Sequence, residues 1–249
     1  MTKNSSLSHR VTNDLRRDIV AGEIEPGARL KTESLAERYG VSANPVREAL
    51  WRLQGEGFVV ANPNQGARVR VVDDDFVRNI FEIREALEPN IIRRFCERVT
   101  PADIARLKKA AAVFAKAAAR KAPDFASLDA ANQAFHAIIN EGETNLQALE
   151  VMDRYAGLIN ATRAKLPIAL ASLRQRVEQH SEIIEAIASG DVDHAVAVAT
   201  EHIRFASQDM LAQMRQVRTS AARAAADRAS EPTRHQRATV KVGSARSAP

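Results

Sequence analysis

Three of the six histidines in this sequence lie in apolar stretches that have helical spacing. His136 follows Asn132 by four residues, so the two side chains share one helix face. His180 and His202 flank Gly190-Asp191, ten residues before and twelve residues after the glycine. Because a helix rises about 1.5 Å per residue, an antiparallel hairpin places both histidines at nearly the same height above the turn.

Histidines at matched height suit more than one kind of chemistry. Neutral imidazoles bind divalent transition metals, and zinc or nickel are the metals we expect first. Taken singly, each histidine is better explained as a core residue that makes a hydrogen bond, and the metal site becomes competitive only for the three together with their polar neighbour. The same histidines can also contact a small ligand without a metal. A metal that activates water would make the site hydrolytic, but no Asp or Glu is clearly placed as its general base.

A further candidate contact is Arg84, four residues before Glu88 on a predicted helix. Its neighbours at helical spacing are Ile80, Phe81 and Leu87, so it either faces a cavity or forms a surface ion pair with Glu88. An inward guanidinium binds a carboxylate through two parallel hydrogen bonds. Arg84 and a divalent ion held by neutral ligands would together favour a small organic acid.

Near the N-terminus, residues 40–53 predict a tight turn and a short helix, with Ser42 as its N-cap and Pro45 in its first turn. A partner helix is predicted over 32–39 and a first helix over 11–21. Two short helices joined at a glycine-containing turn form a helix-turn-helix, whose second helix enters the DNA major groove. A helical hairpin in an enzyme core is the alternative.

Two short strands are predicted next, at 58–61 and 67–71, with a turn between them. Three helices followed by a hairpin form a winged helix, with the tip of the wing near Asn64 to Arg68. Side chains alternate along a strand, so Arg68 and Arg70 are expected to meet DNA phosphates while Val69 and Val71 face the core.

These N-terminal motifs resemble the DNA-binding domain of GntR-type transcription regulators. The resemblance covers Val11 to Val72 and is carried by Pro26-Gly27-Ala28-Arg29-Leu30, Val41-Ser42, Pro45-Val46-Arg47-Glu48-Ala49-Leu50 and Gly66. It implies that Ser42, Asn44, Arg47 and Gly66 approach DNA, and the strand pattern adds Arg68. Many relatives have Arg after the Val-Ser pair, whereas this chain has Ala43. A base preference that depends on that Arg is therefore not expected.

The acidic run at residues 73–75 ends the predicted DNA-binding domain, residues 1–72. Six helices are predicted after it, at 74–98, 101–120, 124–141, 144–165, 168–188 and 191–216. Without strand patterns, residues 73–216 predict an antiparallel helical bundle, and the fold class is mainly α. Residues 217–249 predict a disordered basic tail, solvated rather than drawn to DNA, with 221–229 able to extend the last helix transiently.

Residues 76–215 resemble the FCD ligand-binding domain of the FadR branch of GntR regulators, and the count of six helices is similar to the VanR-like subgroup. The resemblance is carried by residues 83–88, 132–136 and 178–202. It implies that Asn132, His136, His180 and His202 hold a divalent metal and that Arg84 contacts a carboxylate effector. Asp is common where Asn132 stands. Because Asn is a neutral and weaker oxygen donor, a lower metal affinity is expected.

The charge is unevenly distributed along the chain. The net charge of +5 equals the excess in residues 216–249, which hold seven basic and two acidic residues. Residues 1–72 carry a net charge of +3 and residues 73–215 carry −3. This distribution is modest support for DNA binding by residues 1–72. The single Cys96 excludes an intramolecular disulfide, and no apolar run is long enough to span a membrane. A cytoplasmic protein is expected.

Together these features predict a homodimeric transcription regulator that is not an enzyme. It would bind a palindromic operator and respond to a small organic acid next to a metal ion. A regulator with a metal-free effector pocket remains an alternative, and a metal-dependent hydrolase is a less favoured one. The sequence identifies neither the effector nor the operator, and does not distinguish repression from activation.

Overall fold

The computed structural model describes residues 2–62 and 66–230, which contain nine helices and three short strands. The first part comprises α1 (Thr2–Ala21), β1 (Arg29–Leu30), α2 (Thr32–Tyr39), α3 (Ala43–Gly55), β2 (Val59–Asn62) and β3 (Gly66–Val69). The second comprises α4 (Asp74–Arg98), α5 (Pro101–Ala118), α6 (Phe125–Asn140), α7 (Leu146–Arg163), α8 (Leu170–Ser189) and α9 (Val192–Ser230). The predicted class, a mainly helical chain with an N-terminal winged helix and a bundle of six helices, is confirmed.

The winged helix is closed by a small sheet and an apolar core. Gly40 ends α2 with a φ of 64°, a left-handed conformation that turns the chain into α3. The strands are antiparallel in the order β1-β3-β2, so β3 is central. The side chains of Val11, Leu15, Val46 and Leu53 are completely buried between α1 and α3. The two-residue β1 was not predicted because it is too short to show an alternating pattern.

Some local predictions for the winged helix were wrong. Helix α1 begins at Thr2 rather than at 11, because Ser8 is completely buried and accepts a 2.7 Å hydrogen bond from Thr12 Oγ1 one turn later. Ser42 is the N-cap residue of α3, but its side chain makes no capping hydrogen bond. Residues 63–65 of the predicted wing tip lie outside the described residues.

The predicted roles of Arg70 and Val71 also fail. Arg70 follows the end of β3 and turns back toward the bundle. Its Nε donates to Gly57 O at 2.7 Å, and its guanidinium lies over the rings of Phe76 and Tyr155. Arg70 is thus engaged within the protein rather than free for phosphate. Val71 is 51% exposed, whereas Val69 faces the core as predicted.

The bundle begins at α4, where Asp73 accepts from the Phe76 N–H at 2.8 Å and caps the helix. Helix α4 runs antiparallel to α9, and three ion pairs among the described residues connect the two helices along their length. These pairs are Asp74–Arg218, Glu85–Arg204 and Arg93–Asp193. Helices α8 and α9 form a hairpin at Gly190, which has a φ of 77°. Among the described residues, no helix combines the length and hydropathy that a bilayer crossing requires.

Helix α9 continues to Ser230, so residues 217–230 are helical where a disordered tail was predicted. Alanine is the strongest helix former, and adding residues to an existing helix costs far less than nucleating a new one. The side chains from 215 to 228 are exposed, so this extension is maintained by local propensity rather than by packing. The remaining tail, residues 231–249, lies outside the described part.

Candidate metal and effector site

Three different helices place the histidines at one point of the bundle. His136 comes from α6, His180 from α8 and His202 from α9, and one nitrogen of each ring lies within 4.8 Å of the others. The ring centroids of His180 and His202 are 5.0 Å apart, and His136 is 5.8 Å from His202. The matched heights predicted for the α8–α9 hairpin therefore correspond to a real juxtaposition.

His180 is the member of this cluster that a simple core role explains least well. Its ring is completely buried and stacks on Phe135 with centroids 4.3 Å apart. Neither ring nitrogen has a hydrogen-bond partner among residues 2–62 and 66–230. A buried polar atom without a partner costs about 1–3 kcal/mol, so most such atoms are satisfied. A ligand for one of these nitrogens, such as a metal ion, would reduce that cost.

His202 and its neighbour are arranged as metal-ligating histidines often are. His202 Nδ1 lies 2.9 Å from Gln179 Oε1, an amide oxygen that can only accept. With the proton on Nδ1 donated to Gln179, the lone pair of Nε2 is left for another partner. The sequence motif contained Gln179, but its role was not predicted, because only the hairpin geometry brings it to His202.

The electrostatic surroundings keep all three imidazoles neutral. Burial and then the positive charges of nearby arginines lower the pKa of His136 to about 3. Burial is also the main reason why the pKa of His180 falls to about 3 and that of His202 falls well below its usual range. A neutral imidazole is the form that binds a metal. The three histidines are therefore in the protonation state that binds a metal, and no acidic partner is needed for this.

Asn132 lies one turn before His136 on α6 and lines the same cavity. Within the described part of the chain, its amide has no hydrogen-bond partner. Three of the four predicted ligands, Asn132, His136 and His202, thus line this cavity, and His180 lies directly behind them in contact distance of the two other histidines.

Arg84 lines this cavity and also pairs with Glu88, so both sequence-based alternatives describe part of the structure. Its Nε donates to Glu88 Oε1 at 2.5 Å, and 25% of its side chain stays exposed. The cavity measures about 160 Å³. For comparison, an engineered apolar cavity of about 150 Å³ holds benzene. The space therefore suits a ligand of few heavy atoms.

Two further arginines line the cavity and were missed by sequence reasoning. Arg176 pairs with Asp209 at 2.8 Å, whereas Arg163 Nη2 donates only to the carbonyl oxygen of Ala206 at 3.1 Å. No carboxylate lies within 4 Å of Arg163 among the described residues. Burial, followed by repulsion from Arg176 and Arg84, pushes the pKa of Arg163 well below its ordinary range. An anion in the cavity would offset this repulsion.

The predicted DNA contacts form a separate, exposed surface. Ser42, Asn44 and Arg47 are exposed along the start of α3, and Arg47 Nη2 donates to Asn44 Oδ1. On the wing, Gly66 is exposed with a φ of 74°, and exposed Arg68 donates to the carbonyl oxygen of Gly27 at 3.0 Å. The structure thus brings the recognition helix and one wing strand onto the same side of the winged helix, next to each other.

Two family models match this chain. The FCD domain matches residues 79–205, and the model described as bacterial regulatory proteins, gntR family, matches residues 7–69. This chain is a GntR-family regulator with an FCD domain. The match confirms the resemblance seen in the sequence and identifies the protein as a DNA-binding transcription regulator.

The relatives of this FCD regulator are transcription regulators rather than enzymes, as predicted. The HTH-type transcriptional regulator McbR of Escherichia coli is 39% identical over 107 residues, which span 43% of this chain and 48% of McbR. The HTH-type transcriptional repressor RspR of the same organism is 27% identical over 213 residues, or 85% and 90% of the two chains. The solved structure of E. coli McbR superposes with a TM-score of 0.62 at 27% identity, covering 85% and 98%.

Proposed function

We propose that this FCD regulator binds a palindromic operator as a homodimer and that a small organic acid, bound beside a divalent metal ion, controls its affinity for DNA. The observation that supports this most directly is the cluster of three neutral imidazoles, which includes the unpartnered His180 and borders a cavity lined by three arginines and three carboxylates. The metal would be zinc or nickel, held by Asn132, His136, His180 and His202.

The donor set explains why the effector should be an anion. Three imidazoles and one amide are all neutral, so a bound divalent ion would keep its full charge and favour a negatively charged ligand. Arg163 lines the same cavity and has no carboxylate partner among the described residues. Guanidinium binds a carboxylate through two parallel hydrogen bonds in bidentate geometry. The cavity volume of about 160 Å³ limits this acid to a small one.

The homodimer follows from the requirements of operator recognition. One winged helix presents one recognition helix, α3, to the major groove. An operator with two-fold symmetry needs two such helices, spaced about one turn of DNA or a multiple of it. A two-fold dimer is also the commonest symmetric assembly.

The test uses the full chain in three forms: as purified, stripped with a chelator, and reloaded with zinc or nickel. Metal content, sedimentation at micromolar concentration and thermal melting with a panel of small organic acids are measured on each. We expect about one metal ion per chain, a dimer, and melting shifts by acids that require the metal. For an acid that shifts melting, the affinity for duplexes selected by the protein from a random pool should also change.

Different failures have different meanings in this test. Acid-induced shifts that persist in the stripped protein would support the metal-free effector pocket and refute the metal. Absence of both metal binding and acid-induced shifts would refute the effector site as a whole. A monomer at micromolar concentration would refute the dimer without affecting the other two parts.

A further inference from the structure

Trp51 lies on the recognition helix with 80% of its side chain exposed, and it is the only tryptophan in the chain. No role was assigned to it by the sequence motifs. An indole is the largest apolar side chain, and leaving it in water forgoes the free energy that burial would provide. Tryptophan is also enriched at the centres of binding interfaces. We therefore expect the exposed indole to contact a binding partner.

The helical spacing places Trp51 in the stripe of residues expected to meet DNA. Asn44, Arg47 and Trp51 are separated by three and four residues, so they lie on one face of α3. The opposite face, which includes Val46 and Leu53, is completely buried. The indole consequently points to the same side as the guanidinium of Arg47.

The wing provides the second boundary of this surface. A shallow groove is lined by Arg47, Trp51 and Gln54 of α3 and by Ala61, Gly66 and Ala67 of the two wing strands. Recognition helix and wing are the two elements that this kind of domain presents to a duplex. The groove between them combines an apolar floor with one cation, which fits a sugar-phosphate strand better than it fits an uncharged protein surface.

We propose that Trp51 is a DNA contact that packs its indole on the deoxyribose backbone at the edge of the major groove. The N-terminal residues of a recognition helix reach the base edges. Trp51 lies seven residues beyond Asn44, about 10 Å further along the helix axis. It is thus placed away from the bases that the start of α3 reads. The contact is apolar, so it adds affinity for duplex DNA without adding an ion pair.

This contact has a specific signature in salt titrations. Replacing a phosphate-binding cation reduces the slope of log K against log salt by about one, because fewer counterions are released. Removing an apolar contact leaves the slope unchanged and lowers the affinity by the same factor at every salt concentration. In the full-length protein, Arg68→Ala should therefore reduce the slope, whereas Trp51→Ala should lower the affinity without changing the slope.

The experiment measures binding of a labelled duplex, selected from a random pool by the natural protein, at several salt concentrations. We expect Trp51→Ala to bind about tenfold more weakly at each salt concentration, with an unchanged slope. Trp51→Phe, which keeps an aromatic face, should retain most of the affinity. Because Trp51 is exposed, both variants should melt at the temperature of the natural protein.

Intrinsic fluorescence gives an independent readout, since all tryptophan emission comes from residue 51. Adding the duplex should quench the emission or shift it to shorter wavelength with the same affinity as the binding titration. Unchanged affinity of Trp51→Ala, or unchanged emission at saturating duplex, would overturn the proposal. A changed salt slope would also overturn it, and so would an emission shift caused by protein concentration alone, which would place the indole between protein copies.

Discussion

Gly57 lies so close to the ring of Tyr155 that a Cβ atom added to the glycine would be 2.4 Å from Tyr155 Cδ1. Gly57 belongs to the winged helix, just before β2, whereas Tyr155 lies on α7 and lines the cavity beside the histidines. Arg70 bonds to the Gly57 carbonyl and lies over the same ring. The Tyr155 side chain therefore touches both the DNA-binding part and the cavity beside the histidines.

Replacement of Gly57 by alanine tests this contact. The glycine has a φ of 80°, where a side chain is strained, and the new methyl group would overlap the Tyr155 ring. We expect the free energy of unfolding to fall by about 1–3 kcal/mol, measured by denaturant titration. The matched control is Gly55→Ala, in a helical position with open space around it, which should be neutral or slightly stabilising. Equal stability of the two variants would contradict the close packing at Gly57.

Arg47 tests the position of the recognition helix. Arg47→Ala should abolish selective DNA binding. Folding and acid-induced melting shifts should stay unchanged, because the side chain is exposed on α3. If it contacts a base, the loss should be about 1–3 kcal/mol and should relax one operator position. Arg17→Ala is the control, since Arg17 is 70% exposed on α1 and paired with Asp14. A gel-shift titration with equal affinities for both variants would refute the role of Arg47.

The periodic features of the chain were predictable from sequence. Apolar residues at helical spacing and glycine or proline breaks located all six bundle helices, and every helix end except the C-terminus of α9 was predicted to within a few residues, because these signals are local. The equal heights of His180 and His202 required only the helical rise and one turn at Gly190. Helix length was underestimated after residue 216, where alanines continue α9, and before residue 11, where α1 begins at Thr2.

The contents of the cavity were not predictable in the same way. Arg163 and Arg176 are ordinary polar positions in sequence, and only the packing of α7 against α4 and α6 and of α8 against α9 brings them to the histidines. The alternating strand pattern predicted Arg70 to be a DNA-facing wing residue. Its guanidinium instead lies over the ring of Tyr155, which comes 85 residues later in the chain. Contacts between distant segments leave no local periodic signal.

His180 separates a metal ligand from a core histidine. His180→Phe keeps a ring that can stack on Phe135 and removes two unpartnered nitrogens, so the metal-free protein should be at least as stable as the natural one. Zinc should raise the melting temperature of the natural protein but not of this variant. His194→Phe is the control, because His194 is exposed near the same hairpin and outside the cluster. An equal zinc-induced rise in His180→Phe would exclude it as a ligand.

Arg163 should lower the stability of the protein without a bound acid and raise the stability of the protein with one. Its guanidinium is close to two other arginines and has only a carbonyl oxygen as acceptor. We therefore expect Arg163→Met to raise the melting temperature of the acid-free protein and to remove most of the shift caused by an active acid. Arg93→Met, at an exposed ion pair with Asp193, should change neither quantity appreciably. Retention of the full acid-induced shift in Arg163→Met would remove this residue from the effector site.

Asn132 distinguishes direct ligation from a general charge effect. If its amide oxygen binds the metal, Asn132→Asp should tighten metal binding, because a carboxylate adds a full negative charge at the cation. The same charge should weaken an organic acid in the cavity. Asn160→Asp, which adds the same charge to this cavity from α7, should weaken the acid without a comparable gain in metal affinity.

The two substitutions at residue 132 then decide between a ligand and a core residue. Asn132→Ala should weaken the metal without changing the charge, whereas a residue that only packs in the bundle would lose stability in both variants. Calorimetric titrations with zinc and then with an active acid measure these effects. Metal affinities that are equal in the natural protein, Asn132→Asp and Asn132→Ala would exclude Asn132 as a ligand. Binding by the Asp variant alone would mean that the natural amide is too weak a donor to complete the site.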